Sequence, residues 1–436
     1  MKFIELLFLV VIGAPCFAQQ GWTWTALPPM PEPVANNAVV EAMSNDTLCI
    51  YSFCGIDETK QPAGIHLKAW KYNTVSQIWS AMPDVPDENG GKIAAGASVV
   101  DNIIYLIGGY HVASNMSEVS SEKVHRFDPN TDTWLSDGSP IPVPIDDHVQ
   151  AVWNNSWIYV ITGWSDSGNV NDVQIYNPNV DQWSVGTPTP NGVNYEAFGT
   201  SGTIIGDTIY YFGGVQGSFS FTANAKLRKG VIDTMDPAII EWSQLEDSPG
   251  GPGYRTAAAH YEDQLFWIGG AGVAYNFNGQ AYNGTGGVEP TGRIATYYAG
   301  IDQWLDDTLT GEEVMDLRGI GKVSPTAWIL CGGMETDQMV SNRTFLLEYD
   351  PSVSVTELGE GVSIKIENGF LEVKSMAPIQ SIEMHQINGK ISVKEQFQSG
   401  ITSVQIPLPS NIHGLIIVTV VHGDDQISHL KLIQHE

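Results

Sequence analysis

One short motif recurs along this chain at a spacing that suits a single supersecondary unit: a run of β-branched and aromatic residues that closes on two glycines. Asp207-Thr208-Ile209-Tyr210-Tyr211-Phe212-Gly213-Gly214 is its clearest copy. Other copies end at Cys54-Gly55, Gly108-Gly109, Thr162-Gly163, Gly269-Gly270 and Gly332-Gly333, and successive second positions stand 54, 54, 51, 56 and 63 residues apart. Each run reads as a buried strand, and the doublet supplies a backbone bend that side chains would obstruct. Downstream comes an aromatic residue with Asp or Asn, as in Phe127-Asp128-Pro129, Tyr176-Asn177-Pro178 and Tyr349-Asp350-Pro351; Met235-Asp236-Pro237 carries Met in the aromatic place. That is a strand running into a turn. A tryptophan follows at Trp79, Trp134, Trp183, Trp242 and Trp304, and a position repeated so regularly is explained by packing between units.

Units of this length with four strands each, repeated six times, predict an all-β radial fold, a six-bladed β-propeller. The order of glycine doublet, aromatic-Asp-Pro and tryptophan resembles that of kelch repeats, over residues about 22 to 355. The sixth unit ends at Tyr349-Asp350-Pro351 with no tryptophan after it, whereas Trp22-Thr23-Trp24-Thr25-Ala26-Leu27-Pro28 stands at the start with no unit before it. The two halves complement each other, so the N-terminal strand is expected to supply the outer strand of the sixth blade and leave no open edge at the seam. The propeller is assigned to residues 19–357.

The remaining segments point to export. Residues 1–18, with Lys2, the apolar run Leu6 to Ile12 and Ala14-Pro15-Cys16-Phe17-Ala18, have the pattern of a secretory signal peptide. No later stretch approaches the roughly 20 apolar residues of a membrane-spanning helix, so no transmembrane segment is expected in the mature protein. A formal charge of −29 in 436 residues argues against nucleic acid as a partner, because phosphate binding depends on clustered Lys and Arg. Cys49, Cys54 and Cys331 lack metal-ligand spacing and read as buried free thiols, a bridge from Cys49 or Cys54 to Cys331 requiring the first and last repeats to meet in space; no metal or other cofactor is expected. Residues 358–436 lose the repeat and show alternating strands around Asn368-Gly369 and Asn388-Gly389, a hairpin signal that predicts a small β-sandwich of roughly seven strands. Ile379 to Lys390, Gly414 to Val418 and Lys431-Leu432-Ile433 resemble the C-terminal sorting domain of type IX secretion in Bacteroidetes, with Leu415-Ile416 where that family has an aromatic residue. The resemblance implies the type IX secretion machinery as a partner and a secreted, extracellular or outer-membrane surface location. An ordinary accessory sandwich is the alternative.

Candidate ligand contacts fall where loops open on the face that carries the glycine doublets. Counting back fifteen residues from the second glycine reaches His148, Arg255 and Arg318, with Asp146, Asp147, Tyr195, Glu196 and Tyr254 beside or near these positions. Carboxylates, an imidazole, guanidinium forks and aromatic faces in one mouth suit a polyhydroxylated or acidic ligand. The same charged residues also serve loop order. Trp164 directly follows a doublet, outside the tryptophan register. The long segment Ala271 to Arg293 carries Tyr275 and Tyr282 among many glycines; it reads equally as a binding loop or as a cover over the channel. No HExxH, GxSxG or phosphate-binding glycine loop is present, so catalytic residues are unassigned. The leading expectation is a non-catalytic module that binds a glycan or protein ligand. The alternative is an enzyme resembling the six-bladed kelch mutarotases of N-acetylneuraminate, in which Glu196 or His148 moves protons and Arg255 or Arg318 holds the sugar carboxylate.

Overall fold

The computed structural model describes residues 21–166, 168–216, 221–300, 302–304, 308–309, 312–351, 362–367, 370–386, 391–398, 400–407, 414–422 and 427–434. The signal segment and both Asn-Gly dipeptides of the tail lie outside them. The chain divides into two compact units, one spanning Trp24–Glu348 and the other containing Tyr349–Glu436. Among the described residues no helix is long and apolar enough to cross a membrane.

Each repeat becomes one antiparallel sheet. The first blade runs through Ala38–Ser44, Thr47–Ile56, Ile65–Asn73 and Ile78–Met82, and the fourth through Ser201–Ile205, Thr208–Phe212, Leu227–Ile232 and Ile240–Gln244. The strand with the glycine doublet always lies second from the axis, as the buried runs predict. Both doublet positions adopt positive φ in all six copies, and in the two worn copies Cys54 (58°) and Thr162 (48°) hold the first position. Asn-like values of φ near 50° are open to side chains at a cost, whereas the second position is closed by contact. A Cβ at Gly109, Gly214 or Gly270 would stand 2.7, 2.8 or 2.6 Å from a carbonyl of the segment leading into the same blade.

The repeated tryptophans staple each blade to the one before. Trp134 Nε1 donates to the Pro83 carbonyl (2.9 Å), Trp183 to Ser139 (2.8 Å), Trp242 to Thr187 (2.9 Å) and Trp304 to Glu246 (2.7 Å). Each acceptor lies just past the tryptophan of the preceding blade. Trp79 completes the pattern by donating to Pro28 (3.1 Å), so the N-terminal segment does the work of a preceding blade. The sixth sheet joins Gly321–Ser324, Ala327–Cys331 and Thr344–Tyr349 to Trp22–Leu27. Met30 N and Val34 N donate to the carbonyls of Asn342 (2.7 Å) and Ser341 (3.0 Å), and Trp24 meets Phe345 edge-on at 5.4 Å. Cys49, Cys54 and Cys331 are free and buried.

In the C-terminal unit, a three-stranded sheet (Val362–Glu367, Phe370–Ser375, Ser403–Pro407) and a four-stranded sheet (Ile379–Gln386, Ile391–Gln396, Gly414–His422, Ile427–Gln434) are described. Leu371, Val373 and Ile406 of the first share a core with Ile379, Ile382, Met384, Val418 and Val420 of the second, which makes a β-sandwich.

Deleting residues 22–31 removes an edge strand and the acceptor of Trp79. At about 2–4 °C per kcal/mol for a domain of this size, the thermal midpoint should fall by roughly 10 °C, as read by circular dichroism; an unchanged midpoint would refute closure by this segment.

Candidate ligand-binding site

Where the chain enters each innermost strand, one residue adopts a left-handed conformation: Asn36 (φ 55°), Ala94 (58°), Asp147 (47°), Gly199 (62°), Arg255 (49°) and Asp316 (64°). These six bends form a ring around the channel. Asp147 N donates to Ala94 O (3.1 Å), Gly199 N to Asp147 O (2.9 Å), Arg255 N to Gly199 O (2.8 Å), Leu317 N to Arg255 O (3.1 Å) and Asn36 N to Asp316 O (3.0 Å). Ala94 N closes the circle on Asn36 Oδ1 (2.8 Å). The positive φ turns each amide toward its neighbouring blade, and buried amides without partners would be costly.

Side chains from the ring fill its centre. Arg255 donates through Nε and Nη2 to Asp147 (3.2 and 2.6 Å) and through Nη1 to Asp316 Oδ1 (2.8 Å), which also accepts from Asn36 Nδ2 (3.1 Å). Arg255, Asp147 and Asp316 are all nearly inaccessible to solvent. Burial opposes the charge of Arg255, but Asp147 and Asp316 hold its pKa well above the usual value. Burial pushes the Asp316 carboxyl up to about 6 despite Arg255. Arg318 reaches the same centre, donating through Nη2 to His148 O (2.8 Å) with Nη1 3.6 Å from Asp147.

This plug separates two cavities. Beyond it lies a channel of about 330 Å³ lined by the innermost strands of five blades and by residues 317–320, which lead into the sixth, including Glu41, Ser98, Gln150, Thr203, His260 and Arg318. On the loop side lies a pocket of about 70 Å³ lined by Tyr110, Glu118, Asp146, Asp147, Trp164, Phe198, Phe221, Arg255 and Tyr282. Short hairpins beyond the glycine doublets build it. Tyr110 and Glu118 come from the paired segment Ile103–Val112 and Glu118–Ser120, Trp164 from the hairpin Trp164–Ser165 with Gly168–Asn169, and Phe221 from the residue before Thr222–Ala223. Phe198 lies among the other rings, 5.2 Å from Trp164, 5.9 Å from Phe221 and 6.3 Å from Tyr282.

The sequence-predicted residues distribute unevenly over this frame. Asp146, Asp147, Trp164 and Arg255 meet at the loop-side pocket. His148 and Arg318 face the channel on the other side of the plug, because the ring residue of their blades is Asp147 or Asp316, one or two positions earlier. Counting fifteen back fails there since the length between bend and doublet varies. His148 Nε2 lies 3.1 Å from Gln150 Oε1, and burial together with Arg318 lowers its pKa to about 3. Tyr254 is buried, its hydroxyl donating to Tyr275 O (3.2 Å). Tyr275 is buried against it at 5.0 Å, so neither ring lines a cavity wall. Tyr195 and Glu196 line neither cavity; Tyr195 O accepts from Tyr211 and Glu196 Oε1 from Gly192 N. Arg293 donates to the carbonyls of Gly250, Gly251 and Pro252. The loop 271–293 is chiefly a cover: Ala274, Tyr275, Phe277, Ala281 and Val288 join an apolar cluster with Ala35, Ile56, Phe198 and Met315, while Tyr282 reaches the pocket.

Tyr110, Glu118, Phe198 and Phe221 escaped the sequence reading. Tyr110 occupies the same place after its doublet as Trp164, a signal that was available; the other three come from separate loops and acquire meaning only when the six bends are superposed.

A frame repeated six times, carrying unlike hairpins over a common plug, defines a six-bladed β-propeller. The KLHDC2/KLHL20/DRC7 kelch-repeats domain model matches residues 40–270, more than half of the chain, and the chain belongs to this kelch-repeat family. It is 24% identical over 192 residues to Kelch-like protein 25 of Xenopus tropicalis, covering 42% of this chain and 29% of the relative. It is 27% identical over 200 residues to the Rab9 effector protein with kelch motifs of Mus musculus, covering 45% and 47%. The chain thus spans less than half the length of either relative. A solved structure described as that of YjhT superposes with a TM-score of 0.58 at 17% identity, covering 80% of this chain and 99% of that one, a likeness of fold.

Two outcomes test the plug. Arg255→Met leaves Asp147 and Asp316 buried without their main countercharge and should cost about 3–5 kcal/mol in denaturant unfolding. Adding Asp147→Asn and Asp316→Asn should recover part of that loss; no recovery would mean that Arg255 acts by packing alone. His148, with its folded pKa below the ordinary 6.5, is neutral in the folded state while the unfolded chain takes up a proton, so its contribution is present above pH 6.5 and is lost as pH falls toward about 3. Stability should therefore drop less steeply across that window in His148→Asn than in the parent chain.

Proposed function

We propose that this propeller is an exported binding module that takes a protein or glycan ligand at its loop-side pocket, and that the C-terminal sandwich acts as a sorting domain for type IX secretion. The observation that carries the binding reading is the pocket itself: five aromatic side chains from five different segments line it together with Glu118 and Asp146. Aromatic faces provide large, rigid contact area at low entropic cost, and rigid blades hold the loops that present them. Membership of the kelch-repeat family supports an interaction role, and one relative is named as an effector of Rab9. The export reading rests on the pattern of residues 1–18 and on the resemblance of the tail.

The mutarotase alternative needs an arginine for a sugar carboxylate. Arg255 is engaged by Asp147 and Asp316, and Arg318 by the His148 carbonyl, which disfavours that chemistry in the loop-side pocket.

Capture of cell-surface proteins and a glycan array, run with the mature chain, should both be compared with Glu118→Lys and Tyr282→Ala. Loss of the captured ligand with retained thermal midpoint is expected. Capture indifferent to both substitutions would move binding away from this pocket. Removing residues 358–436 should leave the propeller inside the cell envelope, whereas undiminished appearance in the medium would refute the sorting role.

A further inference from the structure

The residue just before each ring bend pairs with the residue just after the glycine doublet of the same blade: Ala35 with Ile56, Ile93 with Tyr110, Phe198 with Val215, Tyr254 with Ala271 and Met315 with Met334. All ten are apolar or aromatic, and all ten belong to the cluster that closes the loop face. In the third blade the pair is Asp146 with Trp164. A carboxylate therefore replaces an apolar side chain at one of six equivalent positions, where it is 4% exposed. Its Oδ2 accepts from Ser120 Oγ (2.6 Å), and its carboxyl group lines the pocket. Burying a carboxylate in an apolar layer is expensive without a countercharge.

The charges around Asp146 offset it only in part. Arg255 draws its pKa down, but that guanidinium is bonded to Asp147 and Asp316, and Arg318 lies beyond them on the channel side. Four carboxylates, those of Glu118, Asp146, Asp147 and Asp316, thus face two guanidiniums. Burial, with Asp147 adding to it, holds Asp146 well above the usual carboxylate range. The other walls are the rings of Tyr110, Trp164, Phe198, Phe221 and Tyr282, whose negative faces attract cations and repel anions. A cation among these rings would favour the ionised form of Asp146 over its protonated form, a gain that a neutral sugar does not provide.

From this juxtaposition we infer that the pocket is a cage for an alkylammonium group, the head of a lysine side chain, methylated or free, or of a choline-type compound, with Asp146 and Glu118 as its countercharges. The inference rests on the loop-side binding reading above and names the chemistry of its ligand. The pocket, with a volume of about 70 Å³, takes the head group, and the rest of the ligand lies across the rim, where Glu118 is exposed.

Titration calorimetry on the full mature chain tests this with choline, with its neutral isostere 3,3-dimethylbutan-1-ol, and with N-acetyl-lysine amide in its free and Nε-trimethylated forms. Choline or a lysine derivative should bind about five- to thirtyfold more tightly than the isostere, in line with about 1–2 kcal/mol for a partly desolvated cation over aromatic faces. Preference between choline and the lysine compounds identifies the source of the ammonium group. Glu118→Gln, at the rim and harmless to the fold, should weaken the cation severalfold and leave the isostere unchanged; Asp146→Asn should do the same more strongly, with the thermal midpoint as a folding control. Equal affinity for choline and the isostere, or no binding of any ammonium compound, overturns the inference. If a captured ligand still depends on Tyr282 and Glu118 while ammonium compounds fail to compete, the cation chemistry falls and the binding module stands.

Discussion

Arg255 sits where six blades converge, and its guanidinium ties carboxylates from the third and sixth blades, Asp147 and Asp316, across the axis. Around it, every innermost strand begins with a left-handed residue whose amide group or neighbour is bonded to the next blade. Six sheets that meet only through side-chain packing would leave buried amides at their narrowest point; the ring satisfies them and fixes the relative rotation of the blades in one step. The glycine doublets belong to the same constraint, since their second positions lie against the carbonyls that lead into the bends. On the outside, the tryptophan indoles repeat the linkage from blade to blade.

Such a frame separates what must be conserved in shape from what is free to differ. The plug isolates the loop side from the polar channel, so a ligand on the loops does not meet His148, Gln150 or His260. The hairpins past the doublets take no part in the ring. They differ in length and side chains, from the two-residue strands at Trp164 to the 23-residue stretch 271–293, and they carry four of the five aromatic rings of the pocket. Asp146 is the point at which the two layers touch: its backbone follows the repeated pairing, while its side chain breaks the apolar rule kept by the other five blades.

The architecture was legible in the sequence because it is written six times. A buried run closing on Gly213-Gly214 or a tryptophan following an aromatic-Asp-Pro turn says little once and a great deal in register, and the unmatched Trp22-Thr23-Trp24 announced the closure of the sixth blade. Site residues are the non-repeating part, and only some could be read. Trp164 stood out by following a doublet. His148 and Arg318 were placed by counting, which slips where the hairpin between bend and doublet changes length. Tyr275 looked available in a glycine-rich loop, yet the loop folds down as a cover and buries it. Phe198 and Phe221 carried no local mark, since a phenylalanine near a loop reads as core until the opposite rings are known.

The ring and its plug should be the last part of the propeller to open. Hydrogen–deuterium exchange followed by mass spectrometry reads it directly in the peptides that contain Asn36, Ala94, Asp147, Gly199, Arg255 and Leu317. These amides should exchange only through global unfolding, at the rate of the central strands such as Thr208–Phe212. Exchange as fast as that of the exposed turns between the two inner strands of each blade would contradict the claim that this ring holds the propeller together.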